Sequence, residues 1–425
     1  MFRTAKHFPK QLYLCFNTVL NNQTQMTSRP PLLQDVRILD LSTVIAAPFA
    51  ATLCADLGAS VTKIELPDGS DALRGLAPTT PEHALYWKTV NRGKKGITLD
   101  VRTPKGKELF LKAIQKTDVL VENFRTGTLD RWGFSLETLL AANPNLIVLR
   151  LTGFGQTGPY AERPGFARIF EAMSGLTNLI GTPESGPQHP NLPIGDLIAG
   201  LFGAFSISSA IASLRRDPSQ GGFEIDLSAT EALFRLLDPL AVEYSLLGVN
   251  RTHVGNRASY TTPSNMYKSI DGKWVTLVAS SDAIFKRLCN TINRPEWIGN
   301  PKFSTNPNRC INANEIDEGI SQWFARNTFM TISKVFDEAV IPYTKVYDIS
   351  DVVNDPQVIS RKGIINLVDD DLGTIPAPCR VPRVPGILDA EIKTGPNTGV
   401  DNLSFYKDLG LSEKEISELK ENQII

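Results

Sequence analysis

Val36-Arg37-Ile38-Leu39-Asp40-Leu41 is an apolar run rich in strand-forming residues and predicts a buried β-strand. A helix-like segment at 49–57 follows it, and residues 60–65 have the alternating pattern of a second strand. Together they predict a βαβ unit. The turn at 42–48 lacks the Gly-x-Gly-x-x-Gly sequence that lets a dinucleotide pyrophosphate approach the backbone. The unit therefore favours an α/β fold without a nicotinamide or flavin site.

Similar strand patterns continue through the first half of the chain. They occur at 97–99, 118–122, 146–151 and 223–227, and a helix-like segment at 105–116 separates two of them. Strands that alternate with helices are typical of a parallel sheet covered by helices. We therefore predict a large Rossmann-like α/β domain with a mostly parallel sheet.

The sequence becomes polar and irregular near 250–265, which indicates a domain boundary. Beyond it, Asp271-Gly272 separates two strand-like segments, and this pair is favoured in the tight turn of a hairpin. We predict a smaller α+β domain at 255–340, inserted into a large domain formed by 32–240 and 345–425. The chain is expected to return to the large domain and to form a final helix at 412–422.

Composition excludes several classes of partner. The 425 residues contain 44 Lys plus Arg and 45 Asp plus Glu, so no net charge attracts nucleic acid or an anionic membrane surface. The five cysteines are widely scattered, which fits a reducing compartment better than a disulfide framework. The four histidines form no pair at helical spacing. We expect no nucleic-acid partner and no catalytic metal.

The first 31 residues are basic, with no acidic residue before Asp35 and with several large apolar side chains. This pattern resembles a mitochondrial presequence. A secretory signal is one alternative, although Asn17 interrupts its apolar core, and a disordered tail with Met26 as a second start is another. We expect a presequence or disordered tail at 1–31 and a mitochondrial location, with a cytoplasmic location as the alternative.

Pro193-Ile194-Gly195-Asp196 precedes residues 197–214, which are almost all apolar or small. The run is nearly long enough to span a bilayer, but its Ala, Ser and Gly content predicts a closely packed core helix and no membrane partner. An Asp ahead of such a helix is more often an N-cap than a nucleophile, since its oxygens accept hydrogen bonds from the first turn. The glycine before it suggests a sharp backbone turn. Taken alone, Asp196 is predicted to be a cap.

Several short motifs occur in a fixed order from about Leu33 to the C-terminus. They are 36–41, Leu57-Gly58-Ala59 with Lys63-Ile64-Glu65, Asn91-Arg92-Gly93-Lys94-Lys95, Leu120-Val121-Glu122-Asn123-Phe124, Gly153-Phe154-Gly155-Gln156-Thr157-Gly158-Pro159, Asp196 with Gly200, Asp271-Gly272, and Asp355-Pro356-Gln357-Val358 with Arg361. In number and order they resemble the class III CoA-transferases, the CaiB/BaiF family. Within the family, the pattern looks most like the mitochondrial succinyl-CoA:glutarate type.

The resemblance implies that Asp196 is the family's catalytic aspartate. In that role the carboxylate attacks an acyl-CoA thioester, forms a mixed anhydride, receives CoA as an aspartyl thioester and passes it to a second carboxylic acid. CoA is then part of the substrate, and no tightly bound cofactor is implied. The resemblance further implies an interlocked homodimer and CoA contacts at Leu99, Arg102, Asn123, Phe124, Arg125 and Arg131.

Two other groups are candidates for assisting the reaction. The glycine-rich loop at 153–158 follows a strand, where α/β sheets usually bind ligands, and its N–H groups are candidate donors to a developing oxyanion. Arg92, Lys94 and Lys95 form a basic cluster at a turn that is a candidate phosphate site. An ordinary run of solvated charges explains this cluster equally well.

Departures from the family pattern keep two alternatives open. Ala167 stands where many members have an acid, so one alternative is a catalytically silent acyl-CoA-binding protein of the same fold. Phe166 stands where the family's α-methylacyl-CoA racemases have a His, and Phe cannot move a proton, so a racemase is the weaker alternative. Ile45 replaces the Gln of the formyl-CoA:oxalate enzymes, which disfavours oxalate. We predict CoA transfer between carboxylic acids, with succinate and glutarate as the leading pair.

Overall fold

The computed structural model describes residues 29–387 and 391–425. Contacts between residues divide this chain into two compact units. The large unit contains the described residues up to Arg163, together with Asp196–Ser228 and Ile365–Ile425. The small unit contains Pro164–Gly195 and Ala229–Ile364. The predicted presequence lies outside the described residues except for residues 29–31.

The secondary structure is mixed α/β. The strands are β1 (Arg37–Asp40), β2 (Ser60–Glu65), β3 (Lys94–Thr98), β4 (Val119–Glu122), β5 (Ile147–Thr152), β6 (Gly181–Thr182), β7 (Gly186–Pro187), β8 (Phe223–Ser228), β9 (Ser264–Lys268), β10 (Trp274–Val278), β11 (Tyr343–Lys345), β12 (Ile364–Asp369) and β13 (Gly373–Pro378). The helices are α1 (Ala46–Asp56), α2 (Leu85–Val90), α3 (Pro104–Ile114), α4 (Thr128–Arg131), α5 (Leu136–Ala142), α6 (Ala167–Met173), α7 (Leu176–Leu179), α8 (Ile194–Arg216), α9 (Ala229–Arg235), α10 (Asp238–Leu247), α11 (Asp282–Thr291), α12 (Asn306–Ile311), α13 (Ala313–Phe324), α14 (Phe329–Glu338), α15 (Ile349–Asn354), α16 (Pro356–Ser360), α17 (Asn402–Asp408) and α18 (Glu413–Glu421).

A six-stranded parallel sheet forms the centre of the large unit, with the order β3-β2-β1-β4-β5-β8. The predicted α/β fold with a parallel sheet is confirmed. The strand order reverses direction between β1 and β4, where Asp40 pairs with Lys63 on one side and Val121 on the other. In open α/β sheets, ligands bind beyond the carboxyl ends of the strands at such a reversal. The loops after β1 and β4 are therefore the expected site.

One face of helix α8 belongs to the core of the large unit, since Ala199 and Ile207 are fully buried. Within the described residues it is the one helix whose length and composition would also allow it to cross a membrane. Leu201 and Phe205, however, are 58% and 67% exposed. The helix thus has a buried face within the large unit and a face that the described residues leave uncovered.

The small unit contains a three-stranded antiparallel sheet, β11-β10-β9, packed with helices. The predicted hairpin is present, with Trp274 paired to Lys268 across the Asp271-Gly272 turn. The contacts also place 164–195, 229–254 and 341–364 in this unit, whereas the sequence-based bounds gave 164–195, 229–240 and 345–364 to the large domain. The physical reason is tertiary packing of α6 against α9, two helices far apart in sequence.

Candidate active site

Asp196 is half-buried and lies in the first turn of α8, which begins two residues before it. A carboxylate in a first turn is stabilised in its charged form by the helix dipole. Because the helix begins at Ile194, Asp196 is not the residue that precedes it, and the N-cap interpretation is wrong. The backbone N–H of Gly195, the residue before Asp196, donates to Glu171 Oε1 at 3.0 Å.

Glu171 and His189 are polar residues beside this helix end that the sequence analysis missed. Glu171 is fully buried on α6, and its second oxygen, Oε2, lies 3.0 Å from His189 Nδ1. Gly195 allows the close approach, since a Cβ there would lie 3.0 Å from Ala167 O and 3.2 Å from Glu171 Cγ. The glycine of the Gly-Asp pair is thus favoured by tight packing, not by a sharp turn. An acidic residue between the apolar residues Phe170 and Ala172 was the available signal.

Helix α8 meets the first turn of α1 at Gly200. A Cβ on Gly200 would lie 2.6 Å from Ala46 O and 2.9 Å from Phe49 Cδ1, so another residue would push the helices apart. Residues four apart lie on one face of a helix, and Asp196 is four residues before Gly200. Asp196 therefore lies on the α8 face that meets the start of α1.

The start of α1 is suited to an anionic group. Ile45 precedes α1 and gives it no side-chain cap, so in the described chain the first-turn N–H groups have no side-chain acceptor from that position. Ile45 packs in an apolar cluster with Tyr86 and Leu197, which follows Asp196. Burial raises the pKa of Tyr86, and the charge of Asp196 raises it further. The Asp196 carboxylate and the Tyr86 phenol therefore interact electrostatically beside the uncapped start of α1.

A pocket opens at the carboxyl ends of β1 to β4. It encloses about 540 Å³ including its open mouth and is lined by Leu41, Thr43, Ile64, Glu65, Leu66, Ser70, Asp71, Leu99, Val101, Arg102, Phe124 and Trp132. Mostly apolar walls with a few polar groups are typical of sites for small organic ligands. The pocket lies where the strand order predicts a ligand.

Three of the six residues predicted to contact CoA line this pocket. Leu99 is buried in its wall, and Phe124 packs edge to face on Trp132, with ring centroids 4.8 Å apart. Arg102 is half exposed and binds Asp100 with two hydrogen bonds of 2.8 Å. A phosphate at Arg102 must therefore compete with Asp100.

The other three residues do not line the pocket. Arg125 and Arg131 are exposed, and Arg131 donates a 2.8 Å hydrogen bond to Thr128 Oγ1. The Asn123 side chain is bound to the backbone of Thr43 at both its oxygen and its nitrogen. Asn123 thus holds a neighbouring loop in the conformation that the structure describes.

The three residues of the basic cluster that was predicted as a phosphate site do not lie together on the surface. Arg92 is buried and pairs with Asp56 at 2.5 Å, and Lys94 is buried and pairs with Asp40 at 2.7 Å. Burial lowers the pKa of Lys94 to about 8 although Asp40 opposes the shift. Lys95 is exposed. The phosphate interpretation is therefore wrong for the two buried cations, because carboxylates distant in sequence already bind them.

In the loop at 153–158, two backbone N–H groups donate hydrogen bonds to side chains outside the loop. Gly155 N–H donates to Thr152 Oγ1 at 3.0 Å, and Gln156 N–H donates to both oxygens of Asp226 at 3.0 Å. These two groups therefore have acceptors of their own. In the described part of the chain, no cluster of three or more His, Cys, Asp or Glu residues has the geometry to hold a metal ion.

Comparisons with known proteins agree with this arrangement. Residues 33–402 match the model of CoA-transferase family III. The chain is 36% identical over 402 residues to succinyl-CoA–D-citramalate CoA-transferase of Chloroflexus aurantiacus, covering 94% of this chain and 100% of that protein. It is 30% identical over 388 residues to mouse succinyl-CoA:glutarate CoA-transferase, covering 91% and 88%.

Solved structures show the same fold. A CaiB/BaiF family protein from Brucella suis matches with a TM-score of 0.77 and 28% identity, covering 90% of this chain and all of that one. The family model accounts for most of the chain, and the relatives match along nearly their whole length. The chain belongs to CoA-transferase family III, the CaiB/BaiF enzymes, and is a CoA-transferase.

Proposed function

We propose that this CoA-transferase moves CoA from succinyl-CoA to a second dicarboxylic acid by covalent chemistry on Asp196. The observation that carries the proposal is the position of Asp196 on the α8 face that meets the uncapped start of α1. A carboxylate beside a positive helix end stays ionised, and an ionised carboxylate is a competent nucleophile toward a thioester. The CoA pocket in the same unit supplies a place for the donor.

The proposed reaction needs no water and no metal. An Asp196 oxygen attacks the thioester carbonyl, the carbon–sulfur bond breaks, and a succinyl-aspartyl anhydride forms as CoA thiolate leaves. The thiolate attacks the aspartyl carbonyl, releasing succinate and forming the aspartyl-CoA thioester. The acceptor carboxylate then attacks this thioester and releases the thiolate again. In the last step, the thiolate attacks the acceptor's carbonyl and frees the Asp196 carboxylate.

The substrate class is proposed from the relatives. The two whose names are given above both use succinyl-CoA, one with citramalate and one with glutarate. We therefore propose succinyl-CoA as the donor, and a four- or five-carbon dicarboxylate as the acceptor. Glutarate is the leading acceptor, and the hydroxylated acids malate and citramalate are tested beside it.

A panel of acids tests the substrate proposal. With succinyl-CoA as donor, we expect glutarate, malate or citramalate to have a kcat/KM at least about tenfold above that of butyrate, because a second carboxylate adds charge-assisted hydrogen bonds. New acyl-CoA products are measured by chromatography and mass spectrometry. Oxalate is the control acid of short length. Equal rates with butyrate and the dicarboxylates would contradict the proposed substrate class.

The racemase alternative is tested by a separate measurement. A racemase exchanges the α-proton, so α-methylacyl-CoA in heavy water would gain deuterium without an acceptor acid. Phe166 is 74% exposed and has no group that can carry a proton. We expect no deuterium uptake. Uptake at a rate comparable with CoA transfer would favour the racemase.

We further propose that the enzyme acts as a homodimer. Helix α10 has no buried residue, and its Val242, Tyr244, Leu246 and Leu247 are 58% to 76% exposed. Apolar surface of this extent is typical of an interface. Light scattering is expected to give twice the chain mass, and Leu246→Asp with Leu247→Asp is expected to give a monomer. Ile311→Asp, at another exposed apolar residue, is the matched control; a monomeric wild type would contradict the proposal.

A further inference from the structure

The turn between β1 and α1 has a strained residue at its centre. Val44 has a φ of +65°, in the left-handed region, where a β-branched side chain crowds the backbone. Such a conformation costs free energy and persists only where neighbouring groups enforce it. Val44 is therefore held in place by its surroundings, and those surroundings can be identified.

Asn123 holds the residue before Val44 at two points. Asn123 Oδ1 accepts a 2.8 Å hydrogen bond from Thr43 N–H, and Asn123 Nδ2 donates a 2.8 Å hydrogen bond to Thr43 O. Asn123 directly follows β4, and Thr43 lies just beyond β1, so this pair bridges the reversal in strand order. Both ends of the amide are engaged, which fixes the peptide groups on either side of Thr43.

Asp71 holds Val44 itself. Its Oδ1 accepts a hydrogen bond of 3.1 Å from Val44 N–H and one of 2.9 Å from Leu73 N–H. The Asp71 side chain is only 3% exposed, and Lys63 Nζ lies 3.6 Å from its other oxygen. Because Lys63 fixes the Asp71 carboxylate, Asp71 cannot move with the turn, and its hydrogen bond with Val44 N–H would be lost if the turn relaxed. Asp71 and Asn123 together enforce the left-handed conformation.

The turn joins the two parts of the site. Thr43 and Asp71 line the pocket, and α1 begins directly after Ile45. The first turn of α1 then packs against α8 at Gly200. A change in the backbone at Val44 therefore alters a pocket wall on one side and the start of α1 on the other.

We propose that Asn123 and Asp71 are positioning residues that hold Val44 in its left-handed conformation and so preform the CoA pocket. This inference rests on the proposed function. It differs from what the family resemblance implies for Asn123, namely a direct contact with CoA. A direct contact and a positioning role predict different behaviour when Val44 is changed.

Substituting Val44 by Gly provides the decisive test, because glycine adopts a positive φ without the cost of a β-branched side chain. Asn123→Ala is expected to raise the KM for succinyl-CoA and the CoA dissociation constant by about tenfold each, as Val44 relaxes out of the left-handed region. Asn123→Ala combined with Val44→Gly is expected to recover both to within about threefold of wild type. Val44→Gly alone is expected to leave both within about threefold.

The opposite results overturn the proposal. If Asn123 contacts CoA directly, Val44→Gly gives no recovery in the Asn123→Ala background. Wild-type affinity in Asn123→Ala would also contradict it. If Asn123→Ala does not fold, Asn123→Asp is used instead, since it keeps the acceptor for Thr43 N–H and loses the donor; its affinity loss must again be recovered by Val44→Gly.

Calorimetry separates this proposal from the proposed function. The dissociation constant of CoA does not depend on which group is the nucleophile, so it is measured with every variant, including in the Asp196→Ala background. Recovery of CoA affinity by Val44→Gly there supports the positioning role even if Asp196 is not the nucleophile. Absence of recovery contradicts the positioning role even if Asp196→Ala is inactive.

Discussion

Asp196→Ala is expected to lower kcat for CoA transfer by about 10⁴-fold or more, since all three covalent intermediates of the proposed reaction, two anhydrides and one thioester, are built on that carboxylate. The CoA dissociation constant is expected to stay within about threefold of wild type, because the pocket is formed by other residues. Exchange of CoA between succinyl-CoA and free acid, followed by mass spectrometry, measures kcat. After incubation with succinyl-CoA and hydroxylamine, only the wild-type protein is expected to show modification at Asp196.

The matched control is Asp217→Ala. Asp217 lies just beyond the opposite end of α8 and caps a short helical turn at 218–220. Asp217 is also an aspartate but is exposed on the surface, and its substitution is expected to leave kcat within about twofold of wild type. Wild-type exchange in Asp196→Ala would refute the assignment of the nucleophile, and an unmodified Asp196 with full activity would refute the covalent route.

Asp40→Asn is expected to produce the largest loss of stability, about 3 to 5 kcal/mol, by leaving two buried lysines without their shared carboxylate. Asp40 is fully buried, with Lys94 Nζ at 2.7 Å and Lys63 Nζ at 3.8 Å from its oxygens. Urea or thermal unfolding followed by circular dichroism measures the loss. The matched control is Asp118→Asn, because Asp118 pairs with the exposed Arg37 at the other end of β1; it is expected to cost less than about 1 kcal/mol.

The loss of stability caused by Asp40→Asn is predicted to depend on pH. Burial alone would raise the pKa of Asp40, but Lys63 and Lys94 outweigh burial and lower it. A lowered pKa in the folded state stabilises the protein above the usual Asp pKa of about 4, and this contribution is lost as the pH falls through the folded value. Burial lowers the pKa of Lys94 to about 8 although Asp40 raises it, so the comparison is made below about pH 5, where Lys94 is protonated in the wild type. There the stability difference between wild type and Asp40→Asn should shrink as the pH falls below about 4. A difference that grows on acidification would contradict this account.

The parallel sheet was predictable because its strands appear in the sequence either as mostly apolar runs, as expected for burial on both faces, or as an alternating pattern such as that of β2. β2 has the predicted ends, and the observed ends of β1 and β5 each differ from the predicted ends by one residue. The limits of the two units were less predictable. Packing of α6 on α9 joins segments that no local pattern connects.

The errors at the candidate site have a common physical origin. The local sequence has no feature indicating that Glu171, 24 residues before Gly195, would accept the hydrogen bond from the Gly195 N–H. It likewise gave no sign that Arg92 and Lys94 would be neutralised by acids 36 and 54 residues away. The partner of a charged or capping side chain depends on which residues are close in space. A local sequence pattern shows only the polarity of each residue.

Strand β3 lies at an edge of the sheet, and residues from the C-terminal segment cover that edge. Asp401 Oδ2 accepts from Gly96 N–H at 2.7 Å, Asn402 Oδ1 accepts from Thr98 N–H at 2.9 Å, and Tyr406 Oη donates to Thr98 O at 2.7 Å. The first of these contacts spans 305 residues. During synthesis, β3 therefore leaves the ribosome long before its cover exists, and its open edge can pair with other chains. We therefore expect the β3 edge to be the part of the nascent sheet most open to pairing with other chains until residues 401–406 have been made.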